Sequence, residues 1–167
     1  MRNIYLLGFA GCGKSTLGKR IAAQLGYQFL DLDALFEQRY GDISDFFAKE
    51  GEMAFRRIET DLLHETATNI NTLISTGGGT PCYGDNMKYI NDNGFSVYLY
   101  LPAKVLADRL KNSHKQRPLL RGQCDLLQYI KQTLPIREMY YRQATLIVSV
   151  LDIHTDRVVE QIKQMIV

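Results

Sequence analysis

Apolar residues gather along this chain in short, nearly unbroken runs, separated by longer stretches in which they recur every three or four positions. The runs are residues 3–7 (NIYLL), 28–31 (QFLD), 72–76 (TLIST), 95–101 (FSVYLYL) and 145–149 (TLIVS). Rich in Val, Ile, Leu, Tyr and Phe, they read as strands covered on both faces. Helices are predicted between them, near 14–25, 32–40, 43–68, 83–92, 103–111, 124–143 and 155–166, the third broken at Gly51. Strands alternating with helices predict an α/β fold, a five-stranded parallel sheet with right-handed crossovers and flanking helices. No repeat, low-complexity tract or linker interrupts the pattern, so one domain is expected over residues 1–167. Ligands in such sheets bind beyond the carboxyl ends of the strands, and the loops there carry the chemistry.

The first of these loops reads GFAGCGKS over residues 8–15 and fits G-x-x-x-x-G-K-[ST] at Gly8, Gly13, Lys14 and Ser15. A glycine-rich turn can aim successive backbone N–H groups at one polyphosphate, and the following helix adds the positive end of its dipole. Lys14 would reach the β- and γ-phosphates, and the Ser15 hydroxyl would ligate Mg²⁺. The apolar run before the loop and the helical pattern after it supply the strand, loop and helix that the motif requires, so nucleotide binding is expected rather than a chance match.

Composition narrows the class without redirecting it. The chain has 167 residues, and its 46% apolar and 23% charged fractions are those of an ordinary globular protein. A net charge of +2 gives no reason to expect nucleic acid or a membrane surface as partner. No apolar run approaches a membrane span, and no signal peptide is evident. Cys12, Cys82 and Cys124 are odd in number and far apart, which suits neither a disulfide framework nor a zinc site and points to a reducing cytoplasm. Cys12, beside Lys14 and a helix N-terminus, is expected to be a thiolate-like group whose alkylation blocks ATP binding and is prevented by MgATP, the alternative being a buried, inert thiol chosen for its small size.

The remaining strand ends hold acids, glycines and arginines. The second strand ends in Asp31-Leu32-Asp33, and residues two apart on a strand share a face, so both carboxylates would point into one cleft. One acid can support Mg²⁺ through water and the other can accept a proton from an attacking hydroxyl. A competing role is capping a helix that starts near Ala34. The third strand runs into Gly77-Gly78-Gly79, where backbone is expected to lie against a ligand and offer it N–H groups. Arg56 and Arg57 stand about 100° apart on one helix, so only one can face inward, where its fork suits a carboxylate or phosphate. Residues 112–123, with Lys115, Arg117 and Arg121, read as a basic lid over the phosphates rather than a solvated loop. Arg137 and Arg142 fall on different helix faces. The three histidines show no metal or triad spacing, and the ten tyrosines read as packing residues.

In this order GFAGCGKST, DLD, FRRIE, STGGG, RPLL and the arginine of PIREMYYR resemble the bacterial shikimate kinases, over residues 4 to 145. The resemblance implies a P-loop kinase architecture, like that of nucleoside monophosphate kinases with a mobile lid. It implies transfer of the γ-phosphoryl group of ATP to the 3-hydroxyl of shikimate, in the pathway to chorismate and the aromatic amino acids. It assigns Gly11, Cys12, Gly13, Lys14, Ser15 and Thr16 to ATP, Ser15 and Asp31 to Mg²⁺, and Asp33 to the substrate hydroxyls as base. Arg56 and Arg137 become a carboxylate clamp and Gly78 a substrate contact. Arg117 becomes the lid arginine, catalytic together with Asp33 and Lys14. Phe47 and Phe55 would wall the substrate ring, and Arg109 would lie along the adenine. The chain departs from some members after the last strand, at Leu151-Asp152-Ile153-His154-Thr155, so no adenine contact is assigned there.

The acids, forks and backbone donors found independently suit such a small, hydroxyl-rich carboxylate. A rival is another P-loop kinase, for gluconate or a nucleoside monophosphate. A non-catalytic ATP-binding module is a second, against which Lys14, Ser15, Asp31, Asp33 and Arg117 all stand, and no guanine-reading N-K-x-D occurs. A monomer is expected.

Overall fold

The computed structural model describes residues 2–112, 125–151 and 154–166. Five strands, β1 (Asn3–Leu7), β2 (Gln28–Asp31), β3 (Thr72–Ser75), β4 (Gly94–Tyr100) and β5 (Leu146–Ser149), form one sheet in the order β2-β3-β1-β4-β5. Every pairing is parallel, with Ile4 opposite Leu73 and Phe95 at its centre. The apolar runs are continuous where the sheet is covered on both faces. In the central β1 all five residues are buried, whereas edge strand β5 exposes alternate positions.

The helices are α1 (Lys14–Leu25), α2 (Leu32–Tyr40), α3 (Ile43–Glu65), α4 (Asn86–Asn93), α5 (Ala103–Lys111), α6 (Leu126–Tyr141) and α7 (Thr155–Met165). The break in α3 falls at Gly51, whose φ of 83° and ψ of 170° leave helical space. Helix α2 covers the predicted residues 32–40, and this corrects the strand-face argument for the two acids: Asp33 lies in the first turn of α2 rather than on a strand, and the helix that Asp31 caps starts at Leu32 rather than near Ala34. The loops that carry the predicted chemistry lie at the carboxyl ends of β1, β2 and β3, which are neighbours in the sheet.

Candidate active site

Between β1 and α1 the backbone takes conformations that favour glycine, with φ of 84° at Gly11 and 100° at Gly13. At Gly11 a Cβ would also meet the Leu110 side chain at 2.9 Å, so any larger residue both strains the turn and crowds that leucine of α5. The cleft above the loop is lined by Gly11, Gly13, Lys14, Ser15 and Thr16, together with Asp31, Asp33 and Gly78. Lys14 Nζ donates to the carbonyls of Gly8 at 2.6 Å and Phe9 at 3.3 Å, tying its charge to the loop mouth. Arg109 Nη1 donates to the Cys12 carbonyl at 3.4 Å, so this arginine reaches the loop from α5.

Cys12 does not meet the expectation set for its thiol. It is 1% exposed and belongs to the hydrophobic core, and it is absent from the cleft wall. Its Sγ lies 2.7 Å from where a Cβ on Gly8 would sit, tucked beneath the loop. A small side chain is what this place requires, and an accessible reactive thiol is not found there.

Both acids of the DLD run face the cleft, though for a different reason than strand alternation. Asp31 ends β2 in extended conformation and caps α2, accepting from the N–H groups of Asp33 at 3.1 Å and Ala34 at 3.4 Å. Its other oxygen accepts from Ser15 Oγ at 2.5 Å. The capping and functional readings of Asp31 therefore coexist. Asp33 reaches the same cleft from the first turn of α2, its Oδ1 3.1 Å from where a Gly77 Cβ would sit.

The three glycines after β3 are explained by the side chains that crowd them. None has a left-handed φ. A Cβ on Gly77 would overlap Glu59, one on Gly79 would overlap the Arg56 guanidinium, and one on Gly78 would meet Arg137 Nη1 at 3.3 Å. Their flatness lets two arginines and a glutamate approach the loop together.

Arg56 is the inward arginine of its pair, buried at 8% exposure, while Arg57 is exposed. Its Nη1 donates to Glu59 Oε2 at 2.7 Å, and Nη2 pairs with the half-exposed Glu52 at 3.3 Å. Burial works against the guanidinium charge, but Glu59 and Glu52 outweigh it and hold Arg56 above its ordinary pKa. Burial pushes the Glu59 carboxyl above the usual glutamate range, with Arg56 and the 2.5 Å hydrogen bond from Thr80 Oγ1 opposing and the nearby Asp33 adding to the rise. Glu59 is the partner that the sequence reading left without a role, although it stands three residues after Arg56 on the same helix face. Phe55 lies beside this pair, 5.3 Å from Arg56 Cζ to its ring centroid, and Phe47 packs on Phe55 at 4.7 Å.

From α6, Arg137 lies over the Phe9 ring at 4.9 Å and beside Gly78, whereas Arg142 is exposed and pairs with Glu138. Burial pushes the Cys82 thiol up to about 11, so it stands near Arg137 as a neutral group. Arg117, Lys115 and Arg121 lie outside the described residues, as does nearly all of the predicted lid. Among the described residues no three His, Cys, Asp or Glu side chains are grouped to hold a metal, and no helix is long and apolar enough to cross a membrane. His64 stacks on Tyr89, and His154 precedes α7.

A phosphate-gripping loop set against a pocket of buried acid and arginine, on a parallel sheet in this order, defines a P-loop small-molecule kinase. A model of the shikimate kinase family matches residues 10–167. The shikimate kinase of Bacteroides fragilis is 44% identical over 150 residues, covering 88% of this chain and 84% of the relative. Among solved structures, shikimate kinase from Bacteroides thetaiotaomicron superposes with a TM-score of 0.89 at 37% identity, covering 99% of this chain and 98% of that one. The Acinetobacter baumannii enzyme in complex with shikimate gives 0.89 at 34% identity, covering 99% and 93%. The chain belongs to the shikimate kinase family.

Proposed function

We propose that the chain transfers the γ-phosphoryl group of ATP to the 3-hydroxyl of shikimate, as one kinase unit acting as a monomer in the cytoplasm. The observation that carries the reading is the glycine loop, against which Arg56, buried and held by Glu59, packs at Gly79, Arg137 at Gly78 and the cleft-lining Asp33 at Gly77. Two guanidinium forks near one acid suit a small molecule bearing a carboxylate and hydroxyls. A nucleoside monophosphate would need a base pocket instead. The family relationship and the shikimate-bound relative support the same choice.

The backbone of residues 11–16 would hold the phosphates, whose oxygens would replace the Gly8 and Phe9 carbonyls as partners of Lys14. Arg109 would approach the nucleotide from α5. Ser15 Oγ and Asp31 Oδ2, two hard oxygens 2.5 Å apart at the loop mouth, fit Mg²⁺ bound by one or two protein groups, with phosphate and water completing the shell. When bound, the cation would neutralise charge developing on the transferred group. Arg56 and Arg137 would fix the carboxylate, and Gly78 would support the ring. Asp33 would orient the 3-hydroxyl and take its proton as the new O–P bond forms and the bond to the β,γ-bridging oxygen breaks. Arg117 is assigned to the phosphates from the resemblance alone.

An ADP-release assay over shikimate, gluconate and nucleoside monophosphates tests the substrate, with turnover expected for shikimate only. Asp33→Asn preserves shape but not proton acceptance, so turnover should fall by about two to four decades with MgATP binding intact. Near-normal turnover in that variant would move the base elsewhere, and phosphorylation of gluconate in preference to shikimate would overturn the substrate.

A further inference from the structure

Tyr141, at the end of α6, is fully buried, yet its hydroxyl does not serve the helix that carries it. It donates to the carbonyl of Gly78, 63 residues away in sequence. Arg137, four residues before Tyr141 on the same helix, places its Nη1 3.3 Å from where a Gly78 Cβ would sit, so the two side chains meet at this glycine. One hydroxyl thus stands at the junction of the glycine loop and the arginine of α6. We propose that the Tyr141 hydroxyl is a positioning group that locks Gly78 and Arg137 into one shikimate-facing unit. The inference rests on the reading above that these two residues contact shikimate.

The geometry explains why a tyrosine is suited to this place. Gly78 belongs to a run of three glycines with no side chains to anchor it, so its carbonyl can be held only from outside. Arg137 has the Phe9 ring beneath it, which fixes a plane but leaves the guanidinium free to slide. A phenol brought up by the same helix limits that sliding, because Tyr141 and Arg137 are four residues apart on one face. The ring is clamped in turn by Tyr98, whose centroid lies 5.0 Å away and whose hydroxyl donates to Glu138 at 2.8 Å. Burial also pushes the phenol above its ordinary range, which favours its protonated, donating form.

Tyr141→Phe removes one oxygen, and Tyr98→Phe removes the neighbouring hydroxyl from the same ring stack as a control. Loss of one hydrogen bond that places a substrate contact should raise the KM for shikimate about tenfold in Tyr141→Phe, with the KM for ATP unchanged. Both variants should melt a few degrees below the parent, and Tyr98→Phe should keep both KM values. In an Arg137→Ala background the Tyr141→Phe effect on shikimate should shrink but not vanish, since the hydroxyl would have lost one of the two groups it positions and kept Gly78. A shikimate KM within twofold of the parent in Tyr141→Phe, or an equal rise in both tyrosine variants, would overturn the proposal and leave Tyr141 a packing residue. Arg137→Ala alone separates the two levels of argument. If it leaves the shikimate KM unchanged, the clamp reading itself fails; if it raises that KM while Tyr141→Phe does not, only the positioning role fails.

Discussion

On the proposed function, Arg56 would serve both binding and folding. Arg56→Ala would remove half of the proposed substrate clamp, and it would also leave the Glu59 carboxyl buried without its cation. Breaking a buried pair costs about 3–5 kcal/mol, so this variant should lose stability as well as about two to three decades of shikimate affinity. Arg56→Lys separates the two, keeping the charge beside Glu59 while losing the planar fork. It should bind shikimate poorly and melt close to the parent, and the exposed Arg57→Ala should be mild in both respects. A larger shikimate defect in Arg57→Ala than in Arg56→Lys would reverse the assignment of the pair. Glu59 adds a pH signature. Its folded pKa lies above the usual glutamate range, so between the two values the native state binds more protons than the unfolded one. Its contribution to stability is then complete below the ordinary carboxylate range and lost as pH rises through the folded pKa. The stability of the parent minus that of Glu59→Gln, from urea melts between about pH 4 and about pH 8, should fall as pH rises. A difference that stays level or grows would show that Arg56 fully compensates the burial.

At the scale of elements, the start of α2 combines a cap with the proposed cation site, and the start of α3 offers a cap alone. Asp31 accepts from two helix N–H groups and from Ser15, whereas Asp42 accepts only from Asp45 N at 3.0 Å and does not line the cleft. Asp31→Ala and Asp42→Ala should each cost about 1 kcal/mol of stability. Only Asp31→Ala should also demand more Mg²⁺ for half-maximal turnover; equal metal response in both variants would reduce Asp31 to a cap. The same elements show what the sequence made legible. Strands and helices could be read because buried strands are continuous and helices periodic, and the glycine that breaks α3 stands out in that period. The phosphate loop could be read because its chemistry is local. The shared strand face of Asp31 and Asp33 was misread because the i, i+2 spacing fits a strand while Asp33 already stands in the first turn of α2. The crowding at Gly77 to Gly79 could not be read, since the side chains responsible come from α3 and α6. For Cys12 the choice between an activated and a buried thiol could not be made from sequence, because Lys14 stands 3.8 Å from its sulfur while the rest of its surroundings are core.

Across the whole molecule, the two halves of the site belong to different parts of the fold. The phosphate half is built from β1, the loop and α1, while the acceptor half draws on α3, the glycine loop after β3, and α6. Asp31 and Asp33 stand between them at the end of β2. Such a division predicts that the two ligands stabilise the protein through separable sets of contacts. A ligand at one hundred times its Kd adds about 2.7 kcal/mol, which in a chain of this size corresponds to about 5–10 °C in Tm. MgATP analogue and shikimate should each raise the parent's Tm by such an amount. Arg56→Lys should keep the nucleotide shift and lose most of the shikimate shift at the same concentrations. Lys14→Ala should do the reverse, because among the described residues Lys14 hydrogen-bonds only within the phosphate loop. The Lys14→Ala melt also carries information about the loop itself, since that variant deprives the Gly8 and Phe9 carbonyls of their donor and its ligand-free Tm should fall first. If either substitution abolished both ligand shifts while the ligand-free protein still melted cooperatively, the halves would be energetically one unit. The separation drawn from the fold would then be wrong.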